Sequence, residues 1–273
     1  MLGVLLGGLT ALVIIFAWSP LGPQYGVKAD SATVITIVGL GIVFWGYVFP
    51  VKSYLRRAGI AGSMQNAEGS LIMRHLLIGA SLAGVALLGT WGAAQQAPKW
   101  AIDLNNATGK LSAHPKEFVQ MATSLGAILF TVLTPIAGDW LGRRVTYTIC
   151  CLCAGVSAIV FYQFCHTIDT TFYVAAFFMG GLTATFYGFF PLYLPELFPT
   201  SVRATGQGFC FNVGRIIAAV GGLQIANLVG LFGTSDTPAY AKAASAYTVL
   251  CSIYLVGVIV VRFAPETKGK GLS

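Results

Sequence analysis

Three short polar stretches interrupt an otherwise apolar chain, and each sets an acid beside basic residues. The first is Gly138-Asp-Trp-Leu-Gly-Arg-Arg144. The second lies within residues 191–208, around Glu196 and Arg203, and the third is the tail from Phe263, with Glu266 directly after Pro265. Asp139 is placed to cap the following helix and complement its positive end, Gly142 permits a tight turn, and Arg143 and Arg144 offer forked donors to a distant carboxylate. Pro195 and Pro199 break helices, so one helix is expected to end near Leu194 and the next to begin near Ser201. That geometry holds Glu196 and Arg203 close together. Such groups suit ionic latching, although each stretch alone also reads as a solvated loop or a basic membrane anchor. Enzyme chemistry is not indicated. No Ser/His/Asp constellation is visible, and His75, His114 and His166 stand isolated at the ends of apolar runs with no metal spacing.

A second group of residues suits binding rather than latching. Arg215 is a charge inside an apolar run, which is costly and usually functional, and Asn212 lies three residues earlier on the same helical face. A forked cation beside an amide fits a carboxylate or sugar acid; the plainer reading is a side chain that snorkels or pairs with a hinge acid. Tyr187, Trp91, Gln95 and Gln96 offer hydroxyl and amide groups and an aromatic face for a sugar. Gln95 and Gln96 equally read as wetted residues at the end of a run. The cysteines, including Cys150, Cys151 and Cys153, fall in or beside apolar runs and read as packing residues. Gly206-Gln-Gly208 follows no strand and is no dinucleotide fingerprint. The reading calls for no cofactor, no metal and no nucleic acid.

The elements that must position these groups follow from composition. Only 9% of residues are charged and 56% are hydrophobic, and the mean hydropathy is +0.77. Soluble domains carry about a quarter charged residues, so this is an all-α integral membrane protein. About eight spans of roughly 20 residues are expected, at 1–18, 32–50, 75–97, 117–137, 145–165, 171–194, 205–232 and 244–264. The 33 glycines agree with close helix packing in a bilayer. Gly180-Gly181, Gly188 and Gly221-Gly222 read as packing positions.

Orientation follows from the basic residues. With both termini in the cytoplasm, Lys52, Arg56, Arg57, Arg74, Arg143, Arg144, Arg203, Arg262, Lys268 and Lys270 lie inside, against Lys28, Lys99, Lys110, Lys116 and Lys242 outside. The basic segment 51–74 separates two spans from the rest. The outer segment 98–116 carries Asn106-Ala-Thr108, an acceptor pattern for N-glycans in a eukaryotic setting.

Taken in order, the three charged hinges resemble the major facilitator superfamily, within its sugar-porter-like or metabolite:proton-symporter-like branch. Asp-x-x-Gly-Arg-Arg at 139–144 is similar to its loop between helices 8 and 9. Pro-Glu-x-Phe-Pro-x-x-x-Arg-Ala-x-Gly at 195–206 is similar to the segment after helix 10, and Pro-Glu-Thr-Lys-Gly at 265–269 to the signature after helix 12. The spans then match helices 5 to 12, and helices 1 to 4 have no counterpart. Residues 1–50 would be the last two helices of the N-terminal bundle, 51–74 a cytoplasmic central loop, 75–264 a C-terminal six-helix bundle and 265–273 a cytoplasmic tail. Two further departures are Pro50-Val-Lys-Ser53 where relatives carry a Pro-Glu-Ser-like motif, and Pro135 where glycine is usual. The resemblance implies a secondary transporter of the cytoplasmic membrane that moves a small polar organic solute, sugar or carboxylate, by alternating access. It implies a cytoplasmic gate of Asp139, Gly142, Arg143, Arg144, Glu196, Arg203 and Glu266. It also implies a substrate site drawing on Arg215, Asn212, Tyr187, Trp91 and Gln95. The partners implied are the solute, membrane lipid, a co-transported proton, and a second copy or another polypeptide supplying the missing helices. The alternative is a truncated carrier that transports nothing without such a partner.

Overall fold

Prolines, glycines and one acidic cap set the helix ends in this chain. The computed structural model describes residues 2–19, 21–60, 66–109, 112–233 and 237–269. Residues 61–65 of the central segment, Lys110 and the tail from Lys270 lie outside them. Each expected span falls on helical backbone, and the described residues contain no strand. Five helical segments among them are long and apolar enough to cross a membrane: Gly69–Thr108, Pro115–Leu141, Arg143–Phe164, Thr170–Glu196 and Ala239–Phe263.

The chain divides into two compact units, Met1–Arg74 and His75–Ser273. In the first, α1 (Leu2–Trp18) and the short α2 (Leu21–Gln24) precede α3 (Ala29–Ile60). Gly39 lets α1 approach α3, because a methyl group there would meet Ile14 Cδ1 at 2.8 Å and Thr10 Cγ2 at 2.9 Å. Trp18 Nε1 donates to Thr36 Oγ1 at 2.7 Å, so the indole buries its one polar atom with a partner.

In the second unit, α4 (Asn66–Gly92, from His75 onward) ends in a 3-10 turn at Ala94–Gln96 and leads to α5 (Ala97–Thr108). Then follow α6 (Pro115–Leu141), α7 (Arg143–Phe164), α8 (Thr170–Glu196), α9 (Arg203–Leu231), α10 (Ala239–Cys251) and α11 (Ile253–Val260). Asp169 N-caps α8, its Oδ1 accepting the Phe172 amide at 2.9 Å. At 29 residues, α9 is about 43 Å long by helical rise.

Two connections add detail to the sequence reading. The connecting segment 98–116 is largely helical: Pro98 opens α5, which buries Trp100, Ala101 and Leu104 on one face. Trp100 packs among Phe161, Tyr162 and Phe172, and its Nε1 donates to Tyr240 O at 2.9 Å. The i, i+4 spacing of Trp100 and Leu104 carried that amphipathic signal. The hinge at 191–208 also begins later. Helix α8 runs to Glu196 with Pro191 and Pro195 inside it, and α9 starts at Arg203. Pro195 sits in the last turn, next to the end of the helix.

Closest packing joins α6 to α8. A methyl group on Gly180 would fall 2.5 Å from Thr123 Cα, and one on Gly126 or Gly188 would collide with the Phe177 or Thr131 carbonyl oxygen. Backbone meets backbone here, so nothing can rotate aside. Gly222, by contrast, has open space around it. Gly126→Ala should therefore destabilise the purified protein by about 1–3 kcal/mol through overpacking, read as a lower melting temperature in detergent. Gly222→Ala should leave the melting temperature unchanged.

Candidate functional site

The charged hinges meet at one end of the second unit because α6 and α7 are joined by a single residue. Gly142 takes φ 93°, a conformation that favours glycine, and a methyl group there would lie 3.3 Å from Glu266 Oε2. The turn places Arg143 at the start of α7, facing the ends of α6 and α8.

Arg143 is the hub. Its side chain is only 7% exposed. Nε donates to Glu196 Oε2 at 2.9 Å and Nη2 to Glu196 Oε1 at 2.6 Å, a bidentate pair across 53 residues of sequence. Nη1 donates to the Gly138 carbonyl at 2.7 Å and to Asp139 Oδ1 at 2.9 Å. Glu196 is 13% exposed and Asp139 62%, so the first pair is shielded from water and the second is not. Thr267 donates its hydroxyl to Glu196 Oε2, which ties the tail into the same carboxylate.

Glu266 does different work. Its carboxylate accepts the backbone N–H groups of Arg143 at 2.9 Å and Arg144 at 3.1 Å, two of the unpaired donors at the start of α7. It also accepts the amides of Thr267 and Lys268. Burial alone would raise the Glu266 carboxyl, but the backbone donors of Arg143, Arg144, Lys268 and Thr267 outweigh it and hold the group below the usual carboxylate range. The tail is pinned further by Arg144 Nε to Ala264 O (2.6 Å), Tyr193 hydroxyl to Pro265 O (2.8 Å) and Lys268 Nζ to Trp140 O (2.7 Å). Arg203 Nε donates to the Pro195 and Phe198 carbonyls at the end of α8. Glu196 thus engages Arg143 and the tail, while Arg203 caps the helix that carries Glu196.

A cavity of about 590 Å³ opens elsewhere in the same unit, between α4, α6 and α8. Thr90 and Gln95 line it from the α4 side, Gln120, Thr123, Ser124 and Thr131 from α6, and Thr183 and Tyr187 from α8. Its lining contains amides and hydroxyls but no ionisable acid or base other than the phenol. Several threonine protons are already given to helix carbonyls, as in Thr131 to Ala184 O (3.3 Å) and Thr183 to Met179 O (2.8 Å). Their oxygens remain acceptors, and the glutamine amides supply donors. Such a wall can bind hydroxyl and carbonyl groups.

Of the expected binding residues, Gln95 and Tyr187 line this cavity, and Trp91 lies beside Tyr187. Arg215 and Asn212 are on α9 and do not line it. Arg215 is exposed, its Nη1 only 3.4 Å from Asn212 Oδ1, while Asn212 Nδ2 donates to Gly208 O at 2.8 Å. Sequence reasoning missed the α6 wall. Its signal is a polar stripe at Gln120, Ser124 and Thr131, spaced i, i+4, i+11 along one face.

Long apolar helices, an uncharged cavity whose mostly apolar wall carries a few hydroxyls and amides, and a shielded ion pair at one end of the second unit are the features of an integral membrane protein. The family follows from comparison: residues 112–273 match the model of the sugar (and other) transporter family, and the chain belongs to it, as a partial, sugar-porter-like member of the major facilitator superfamily. A probable 4-methylmuconolactone transporter of Cupriavidus pinatubonensis is 24% identical over 98% of this chain and 60% of its own. A cis,cis-muconate transport protein of Acinetobacter baylyi is 32% identical over 54% of this chain and 33% of its own. The fold is similar to the crystal structure of a double-tryptophan XylE mutant, with a TM-score of 0.55, 18% identity, and coverage of 74% of this chain and 48% of that one. The chain thus spans less than two thirds of the length of these relatives.

Two outcomes follow from the cluster. Arg143→Ala strands a shielded Glu196 and should cost about 3–5 kcal/mol of stability, measured as a fall in melting temperature; Arg143→Lys, which cannot form the fork, should recover only part of it. Glu266 is held below its unfolded value, so its contribution is present above about pH 4.3 and is lost as the pH falls through the lowered value. The protection of the Arg143, Arg144, Thr267 and Lys268 amides against hydrogen exchange, taken relative to intrinsic rates at each pH, should fall together in that acidic window, and Glu266→Gln should remove the transition.

Proposed function

We propose that this chain is the substrate-translocating part of a secondary transporter that moves a small polar organic solute, sugar or carboxylate, by alternating access. The observation that carries the reading is the pairing of an uncharged hydrogen-bonding cavity with a separate, shielded Arg143–Glu196 cluster in one bundle. A carrier needs a place to hold solute and a switchable contact that favours one of two states. In this reading Asp139, Gly142, Arg143, Arg144, Glu196, Arg203 and Glu266 form the gate on the cytoplasmic side, and both termini lie there, as the bias of basic residues suggests. The first unit supplies two helices of one bundle and the second unit the other bundle.

Solute contacts are assigned to Gln95 and Tyr187 in the cavity, with Trp91 beside them, and to Arg215 and Asn212 as the anchor for a carboxylate. The names of the muconate-type relatives favour an acid as cargo, and the uncharged cavity wall suits the rest of such a molecule or a sugar. Coupling to a proton belongs to the same proposal.

Uptake of labelled cis,cis-muconate and labelled hexoses into proteoliposomes, with and without a proton gradient, tests it. Saturable uptake is expected. Glu196→Gln and Arg203→Gln should each lower it roughly tenfold, corresponding to about 1.4 kcal/mol; full uptake in both variants would remove the gate assignment. Arg215→Gln should weaken muconate uptake more than hexose uptake. Folded protein that is inert until another polypeptide is added would favour a carrier completed by a partner.

A further inference from the structure

Tyr254, the second residue of α11, is 2% exposed, and its phenol oxygen is the buried side-chain polar atom that lacks a hydrogen-bond partner among the described residues. Its ring stacks on Phe186 of α8 at 5.7 Å and 8°. The hydroxyl end is wedged against Gly89 of α4, where a methyl group would overlap the ring carbon and oxygen. Glycine at that position therefore admits the hydroxyl to the back of the cavity wall.

Thr90, the residue after Gly89 and itself part of the cavity wall, is a polar side chain next to this contact. Thr90 Oγ1 now donates to Ala86 O at 2.9 Å on its own helix and to Thr183 O at 3.1 Å on α8. One proton therefore ties α4 to α8 in front of an unpartnered phenol.

We propose that Tyr254 is a positioning residue for the cavity, acting through Thr90 as a two-step relay. An oxygen acceptor on a ligand takes the Thr90 proton and turns that hydroxyl away from the Thr183 carbonyl. The Tyr254 O–H then donates to Thr90 Oγ1, so the phenol gains a partner as the threonine serves the ligand. Binding in this way favours ligands with a hydroxyl, carbonyl or carboxylate oxygen at Thr90 and releases one α4–α8 link at the same moment. The relay rests on the reading of this cavity as the solute site.

The test is the dissociation constant of cis,cis-muconate and of D-glucose for the purified 273-residue protein, read from ligand-induced melting shifts. Tyr254→Phe keeps the ring and should melt no lower than the parent. It should weaken whichever probe binds by about threefold to tenfold, as loss of one hydrogen bond does. Thr90→Val should weaken it equally, Thr90→Ser should restore it, and the Tyr254→Phe/Thr90→Val pair should be no worse than either alone. Unchanged affinity in Tyr254→Phe, with weaker binding in Gln120→Ala, would overturn the relay and leave the cavity reading standing. If Gln120→Ala is also silent, or neither probe binds the parent protein, the cavity reading fails and the relay falls with it.

Discussion

A guanidinium that is nearly excluded from water must find acceptors for its N–H groups, and most of this bundle's end is arranged to supply them to Arg143. Glu196 takes the fork, the Gly138 carbonyl and Asp139 take Nη1, and the tail closes over the pair through Thr267. The acceptors come from the ends of α6 and α8, and the chain after α11 adds the Thr267 hydroxyl that donates to Glu196. The Gly138 and Asp139 contacts are local to the turn, whereas those through Glu196 and Thr267 span 53 and 71 residues, so the complete cluster forms only when the three elements are in place. Its energy is sensitive to small displacements, because a shielded ion pair that loses one partner is far costlier than an exposed pair that does so.

The α6–α8 seam sets those displacements. Glycines at 126, 180 and 188 bring the two backbones into contact, which fixes their axial register. That register places Gln120, Thr123 and Thr131 opposite Thr183 and Tyr187 and so shapes the cavity. It also carries Glu196, at the last position of α8, to the fork of Arg143. Cavity and cluster are therefore two products of one packing decision.

The charged residues were legible in the sequence because acids and bases are rare in an apolar chain. Their pairing was not. Proximity in the hinge suggested Glu196 with Arg203, but helix packing turns Glu196 toward Arg143 and sends Arg203 Nε to the carbonyls of Pro195 and Phe198. The helices were readable from hydropathy, whereas α5 was hidden because a short amphipathic helix resembles a polar connection until Trp100 finds its aromatic neighbours. The cavity wall was hidden for a related reason. Threonine and serine inside an apolar helix give their protons to the backbone and leave little trace in hydropathy. Arg215 stood out as a charge, yet its exposed position on α9 comes from the fold alone.

The one-residue junction at Gly142 also has a mechanical meaning. A loop of several residues would absorb motion between α6 and α7, but a single φ/ψ pair cannot. Helix α6 has 27 residues, so it is a rod about 40 Å long with the cavity wall near its first half and the Arg143 hub just past its end. Between that wall and the start of α7 lies Pro135, where α6 lacks one backbone hydrogen bond, so the give between cavity and hub is concentrated in the helix at that turn.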